Sequence, residues 1–246
     1  MIPLSDENPT VRPPVITILI LAAMVAVWVI VEGAGFGDRM VRAICNLGLV
    51  PGELTGLAPI GSAVPIGPGL YCAVDAQLAN WASPVVSLFL HGGWGHLLGN
   101  ALFLWVFGNN VEDVMGRGRF VLFYLLSGLA AAGAQVAAQP GSTIPMVGAS
   151  GAIGGVMGAY VLLYPRAGIT TFVFLGIFAR MMVIPATVML GYWFLLQLLS
   201  GTLSGGEGGG VAFWAHVGGF VGGLVLAPLF RNRDLREAHR RLAAGR

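Results

Sequence analysis

Runs of about twenty apolar residues, broken by arginines, glycines and prolines, constrain this chain more than any other feature. Such a run has no polar face to turn toward water, and in hydrocarbon only a helix satisfies every backbone N–H and C=O within one segment. The balance of the chain agrees: 56% of its residues are hydrophobic and 10% are charged, which excludes an ordinary soluble domain. An all-α polytopic membrane protein is expected. Its 246 residues leave room for about six or seven spans with loops, and little for a separate soluble domain. The net charge of +2 gives no basis for nucleic-acid binding, so the expected partners are the lipid bilayer and other membrane proteins. The 38 glycines suit helices that approach closely in lipid.

The first span is expected over Val15–Val31, after the polar leader Ser5-Asp6-Glu7-Asn8 and the break at Pro13-Pro14. A secretory signal core is the alternative, but the run exceeds the roughly 7–15 residues of such a core, and its leader sets only Arg12 against Asp6 and Glu7. Glu32 to Pro84 reads as a long loop with short helices at the interface. Further spans are expected over Trp94–Val111, Phe120–Ala138, Ser150–Tyr164 and Val211–Phe230. The stretch Ile169–Ser200 is ambiguous, holding one span or two. Ile169–Ala179 is too short to cross about 30 Å as a helix, and Arg180 and Pro185 follow it. Ile169–Met182 is therefore read as an interfacial or re-entrant piece and Val183–Leu199 as the fifth span. Six spans put Ser150 and His216 on one face of the membrane; seven would put them on opposite faces.

Arginine placement tests the orientation independently, because cytoplasmic loops and tails collect positive charge. All thirteen basic residues are arginines. With an inner amino terminus, Arg12, Arg117, Arg119, Arg166, Arg180, Arg231, Arg233, Arg236, Arg240, Arg241 and Arg246 lie on the inner side, and only Arg39 and Arg42 lie outside. The starts of spans two, four and six then share the outer face. A bacterial plasma membrane with both termini in the cytoplasm is expected. The organisation is a cytoplasmic segment over residues 1–13, a six-helix membrane domain over 14–230, and an arginine-rich cytoplasmic tail over 231–246.

Polar side chains inside hydrocarbon are costly, so they mark a site before a scaffold. His91, His96, Asn100, Ser150 and His216 are such residues, and the topology gathers them at one end of the bundle. His96 and Asn100 are four apart and share one helix face. Ser150 lies in the first turn of its helix, where free N–H groups and the dipole favour a developing oxyanion. Its neighbours Gly148 and Gly151 remove bulk around the hydroxyl. A serine activated by histidine, with donors for the oxyanion, is the minimum equipment for acyl transfer. No acid lies within a span to complete a triad; Glu112 and Asp113 sit at the far end of span two. Plainer roles exist for each residue alone: Gly148-Ala149-Ser150-Gly151 as a small-residue packing seam, His96 and Asn100 as interhelical glue, His216 as a proton relay.

Taken together, three segments resemble the rhomboid intramembrane serine proteases: His91-Gly92-Gly93-Trp94-Gly95-His96-Leu97-Leu98-Gly99-Asn100, Gly148-Ala149-Ser150-Gly151, and Ala215-His216-Val217-Gly218-Gly219 with its continuing Gly223. The resemblance covers about Val15 to Phe230. It implies a six-helix rhomboid-like bundle with a long outer loop between helices one and two. It implies Ser150 as nucleophile, His216 as general base, and His96, Asn100 and the Ser150 amide as an oxyanion hole. His91 would be structural, as would Gly148, Gly151, Gly219 and Gly223. The implied reaction is cleavage of transmembrane segments of membrane proteins through an acyl-enzyme, with no metal or cofactor. Some members place an aromatic residue four positions after the serine, stacked on the histidine; here that position is Gly154, so something else must brace His216.

Cys45 and Cys72 are the only cysteines. Both fall in the outer loop, where oxidation is permitted, and a disulfide is expected between them, with two free thiols as the alternative. Two rival classes remain. A non-proteolytic relative would lack the serine or the histidine, and a transporter would carry repeated halves with broken helices or midplane acids.

Overall fold

Chain order begins with strand β1 (Ile2–Asp6), followed by α1 (Val15–Ile30), which starts directly after Pro13-Pro14, where a proline ring is still tolerated. The segment expected as a long loop holds α2 (Arg39–Leu47), α3 (Pro51–Thr55), the hairpin β2 (Ala63–Gly67) and β3 (Leu70–Ala73), and α4 (Ser83–Val86). Then come α5 (Trp94–Met115), α6 (Arg117–Ala138) and α7 (Ser150–Leu163). A second hairpin, β4 (Gly168–Leu175) and β5 (Phe178–Pro185), leads into α8 (Ala186–Leu203), α9 (Phe213–Phe230) and α10 (Arg233–Ala244). This computed structural model describes residues 1–67, 70–75, 77–175, 178–203 and 211–244. Arg246, counted above on the inner side, lies outside the described residues.

Among the described residues three helices, α6, α8 and α9, are long and apolar enough to cross a membrane, while α1 and α7 are apolar but shorter. Helix α5 spans 22 residues and carries Asn100, Asn109, Asn110, Glu112 and Asp113 along its length. Three expectations need correction. The fold is mostly helical but not all-α, since it contains two small antiparallel sheets. Ile169–Met182 is not a re-entrant piece; it falls in the β4–β5 hairpin, and β1 joins that hairpin as a third strand with Ile2 opposite Phe172 and Phe172 opposite Met181. The β-branched and aromatic residues of Ile169-Thr170-Thr171-Phe172-Val173-Phe174 favour a pleated surface over a helix. Residues 183–185 finish β5, so the following helix is Ala186–Leu203, shifted from the expected Val183–Leu199.

The bundle is built around α7. Every residue of that helix is buried except Ser150, Val161 and Leu162. Helices α7 and α9 meet through glycine: a methyl group at Gly219 would fall inside the Gly151 carbonyl oxygen, and one at Gly223 inside the Gly155 carbonyl. Gly151 likewise has Ala131 of α6 close by, 2.6 Å from where a Cβ would stand. Close backbone approach gives dense packing where lipid offers no hydrophobic drive between helices.

The end of the bundle remote from Ser150 is tied by polar side chains. The buried Glu112 carboxylate accepts the Ile16 and Thr17 N–H groups at 3.0 and 2.8 Å and the Thr17 hydroxyl at 2.9 Å, satisfying donors that the first turn of α1 leaves unpaired. Asp113 accepts the Val11 N–H at 2.8 Å and the Arg12 Nε at 3.2 Å. Asp6 of β1 accepts the Tyr160 hydroxyl and the Asn110 amide, each at 2.7 Å. His239 of α10 closes on Asn110 Oδ1 at 3.3 Å. Both terminal segments, expected as plain cytoplasmic extensions, are thus anchored to α5 and α7.

Candidate active site

Ser150 is the first residue of α7, and its position depends on the loop before it. Gly148 donates its N–H to the Ser87 carbonyl at 2.9 Å, and Leu49 and Met146 exchange backbone hydrogen bonds at 2.9 and 2.8 Å. Gly148 has a φ of +116°, a region that L side chains avoid. The space is equally demanding: a Cβ there would stand 2.6 Å from the His96 ring. Glycine at this position lets the chain turn into α7 with His96 and Asn100 alongside.

The Ser150 hydroxyl oxygen lies 2.7 Å from His216 Nε2. His216 is carried by α9, whose start is held by the Ala215 N–H donating to Gln135 Oε1 at 3.3 Å. The other ring nitrogen, Nδ1, lies 2.7 Å from Gln197 Oε1 on α8. Trp193, one turn earlier on α8, places its ring 5.7 Å from the His216 ring at 40°. These two α8 residues were not singled out from the sequence. Gln197 nevertheless carries the same signal as the five residues that were, a polar group flanked by Leu195-Leu196 and Leu198-Leu199. Gly154 cannot help, because a Cβ there would already sit 3.1 Å from the His216 carbonyl oxygen and 3.4 Å from the Phe220 nitrogen.

A cavity of about 330 Å³ opens beside Ser150 and His216 and is also lined by His96, Asn100 and Gly148. The Gly92 N–H donates to His96 Nδ1 at 3.3 Å, so the neutral ring carries its proton on Nε2 and presents a donor. The Asn100 Nδ2 amide is buried and has no partner. The amide of Ser150 itself belongs to the first helical turn, where N–H groups find no acceptor within the helix. His96, Asn100 and Ser150 thus bring three N–H donors to the lining of the cavity that holds the Ser150–His216 contact.

His91 stands behind this site rather than in it. Its N–H donates to the Glu32 carboxylate at 2.9 and 3.1 Å, its Nδ1 donates to the Phe89 carbonyl at 3.2 Å, and its ring meets that of His96 edge-on at 5.3 Å. Burial raises the Glu32 carboxyl to about 7 against the lowering effect of the His91 N–H. Burial, and then the neighbouring His96, lower His91 to about 4. Glu32 escaped the sequence reading because its partner is a backbone group 59 positions away. Further out, Cys45 on α2 and Cys72 on β3 form a disulfide closing a separation of 27 residues. Gly151, Gly219 and Gly223 lie at the α7–α9 contact described above. Among the described residues no group of three or more His, Cys, Asp or Glu side chains could hold a metal ion.

Comparison with known proteins adds to this geometry. Residues 78–233 match the family model described as Rhomboid domain. The chain is 32% identical over 149 residues to Rhomboid protease GluP of Bacillus subtilis, covering 60% of this chain and 25% of that protein. It is 30% identical over 174 residues to the mitochondrial Rhomboid protein 1 of Saccharomyces cerevisiae, covering 67% of this chain and 46% of that protein. Rhomboid-like protein 11, chloroplastic, of Arabidopsis thaliana is 36% identical over 83 residues, or 34% of this chain and 29% of that one. The chain thus spans less than half the length of these curated relatives.

Proposed function

The chain belongs to the rhomboid family, and from that membership we propose that it is an intramembrane serine endopeptidase that cleaves transmembrane segments of membrane proteins through a Ser150–His216 dyad. The observation that carries this reading is the 2.7 Å contact between Ser150 Oγ and His216 Nε2 at the edge of a cavity with unpaired donors. Ser150 Oγ attacks the scissile carbonyl while its proton passes to His216 Nε2. The carbonyl oxygen takes on charge among the Asn100 amide, the His96 Nε2–H and the Ser150 N–H. His216 then gives the proton to the leaving amine, and water releases the acyl group by the same steps in reverse order.

The proposal extends to topology. Helices α1, α5, α6, α7, α8 and α9 are the six crossings, with the segment between α1 and α5 on the outer face and both termini on the inner one. The arginine distribution supports that orientation, and the cell membrane of a bacterium is the proposed location. The β4–β5 hairpin between α7 and α8 leaves an even number of crossings between Ser150 and His216, as their contact requires.

The test pairs covalent labelling by a fluorophosphonate with cleavage of a model transmembrane substrate in proteoliposomes. Wild type should label and cleave, and Ser150→Ala should do neither. A folded wild type that neither labels nor cleaves would end the protease reading.

A further inference from the structure

Both ring nitrogens of His216 are engaged, one by Ser150 Oγ and the other by Gln197 Oε1, each at 2.7 Å. We infer that Gln197 is a positioning residue for the reaction proposed above: it accepts the His216 Nδ1 proton, holding the ring in the tautomer and orientation in which Nε2 is free to take the proton of Ser150. The inference rests on Ser150 and His216 being nucleophile and base.

Five observations support it. Nε2 can accept a proton from Ser150 only if the neutral ring carries its hydrogen on Nδ1, and a carbonyl oxygen facing Nδ1 selects that tautomer. Among the described residues no carboxylate bonds to His216, so an amide stands where a soluble serine hydrolase would have an acid. In an apolar helix an amide is costly unless bonded, which ties Gln197 to its partner. Trp193 lies one turn away on the same face of α8, against the same ring. From the other side α7 offers no brace, since at Gly154 even a methyl group would crowd the His216 carbonyl.

The chemistry accounts for an amide in this place. As Ser150 attacks, its proton moves to Nε2 and the ring becomes an imidazolium with a hydrogen on each nitrogen. The Nδ1–H stays on the Gln197 oxygen throughout, and the Nε2 proton leaves with the amine. Gln197 orients the ring without placing a fixed negative charge among apolar helices, where an anion without a partner is strongly disfavoured. It touches neither substrate nor the reacting atoms.

The experiment compares wild type, Gln197→Leu and Gln197→Glu, purified and reconstituted, by kcat, KM, melting temperature and the pH profile of kcat/KM. Gln197→Leu is expected to lower kcat by about 10- to 100-fold, a part of the roughly 10²–10⁴ that general-base catalysis supplies, with KM within about twofold. Gln197→Glu is expected to recover most of that loss at alkaline pH. Its acid limb should move to higher pH, because a carboxylate at Nδ1 holds the ring proton more tightly. A wild-type kcat in Gln197→Leu overturns the inference. So does an acid limb in Gln197→Glu that coincides with that of wild type, which would leave Gln197 a packing residue. If Gln197→Leu is too unstable to assay, the acid limb of Gln197→Glu decides alone. An inactive wild type defeats the protease reading itself, whereas an active wild type with indifferent variants defeats only the role of Gln197.

Discussion

Asn100 carries its amide into a buried position where Nδ2 finds no partner. Lack of a partner alone does not mark a reacting group, because Trp28 Nε1, Tyr124 Oη and Ser127 Oγ share it. Asn100 differs in lining the cavity that holds Ser150 and His216. An unpaired buried donor costs about 1–3 kcal/mol in the resting protein, a cost that an oxyanion accepting from it, as in the proposed reaction, would reverse. Asn100→Ala should therefore lower kcat/KM by about 10²–10³ while leaving the melting temperature equal or higher. Substrate cleavage and thermal unfolding on the same preparation check both halves, and an unchanged rate would remove Asn100 from the reaction. At this scale much was legible in the sequence, since polarity inside an apolar run announces itself. Gln197 went unnoticed because it lies where the span boundaries were ambiguous, and Glu32 because a carboxylate paired with a distant backbone N–H leaves no pattern along the chain.

At the scale of elements, the site is a consequence of how closely α7 and α9 approach. Gly219, three residues from His216, faces the carbonyl of Gly151, the neighbour of Ser150, with no room for a methyl group. Gly219→Ala should force the helices apart, costing about 1–3 kcal/mol as overpacking does, and should lengthen the Ser150–His216 contact. A fall in melting temperature accompanied by loss of fluorophosphonate labelling is the expected result. Gly118→Ala on α6, where a methyl group would meet nothing within 4 Å, should change neither. Gly148-Ala149-Ser150-Gly151, leading into α7, was visible in the sequence as a small-residue packing seam. The hairpin was not. Its strands β4 and β5 are apolar enough to read as membrane segments, and Phe174, Met181 and Val183 remain exposed in the fold. Without polar alternation, hydropathy alone does not separate a short strand from part of a helix.

Across the whole molecule, β1 and α10 draw both ends of the chain onto the bundle opposite the site. Asp6 is central to this tie, accepting from Tyr160 and Asn110. Burial raises its carboxyl to about 6 against the lowering effect of its hydrogen bonds to Tyr160 and to Asn8. The folded state then binds this proton more tightly than the unfolded chain. Its contribution is complete below the ordinary value of 3.8 and is lost as pH rises through about 6. Relative to Asp6→Asn, wild type should lose on the order of 2 kcal/mol between those limits, measured as the difference in unfolding free energy across pH. A constant difference between the two proteins would show that Asp6 does not titrate there. The sequence by itself determined the solvent this chain is made for and the placing of His96 and Asn100 on one helix face, because hydrophobic length and helical spacing are properties of order along the chain. Only the tertiary structure decided what braces His216, what Glu32 holds, and that β1 completes a sheet with the hairpin before α8. Those pairings depend on the rotation and docking of separate elements, which packing selects and no local pattern records.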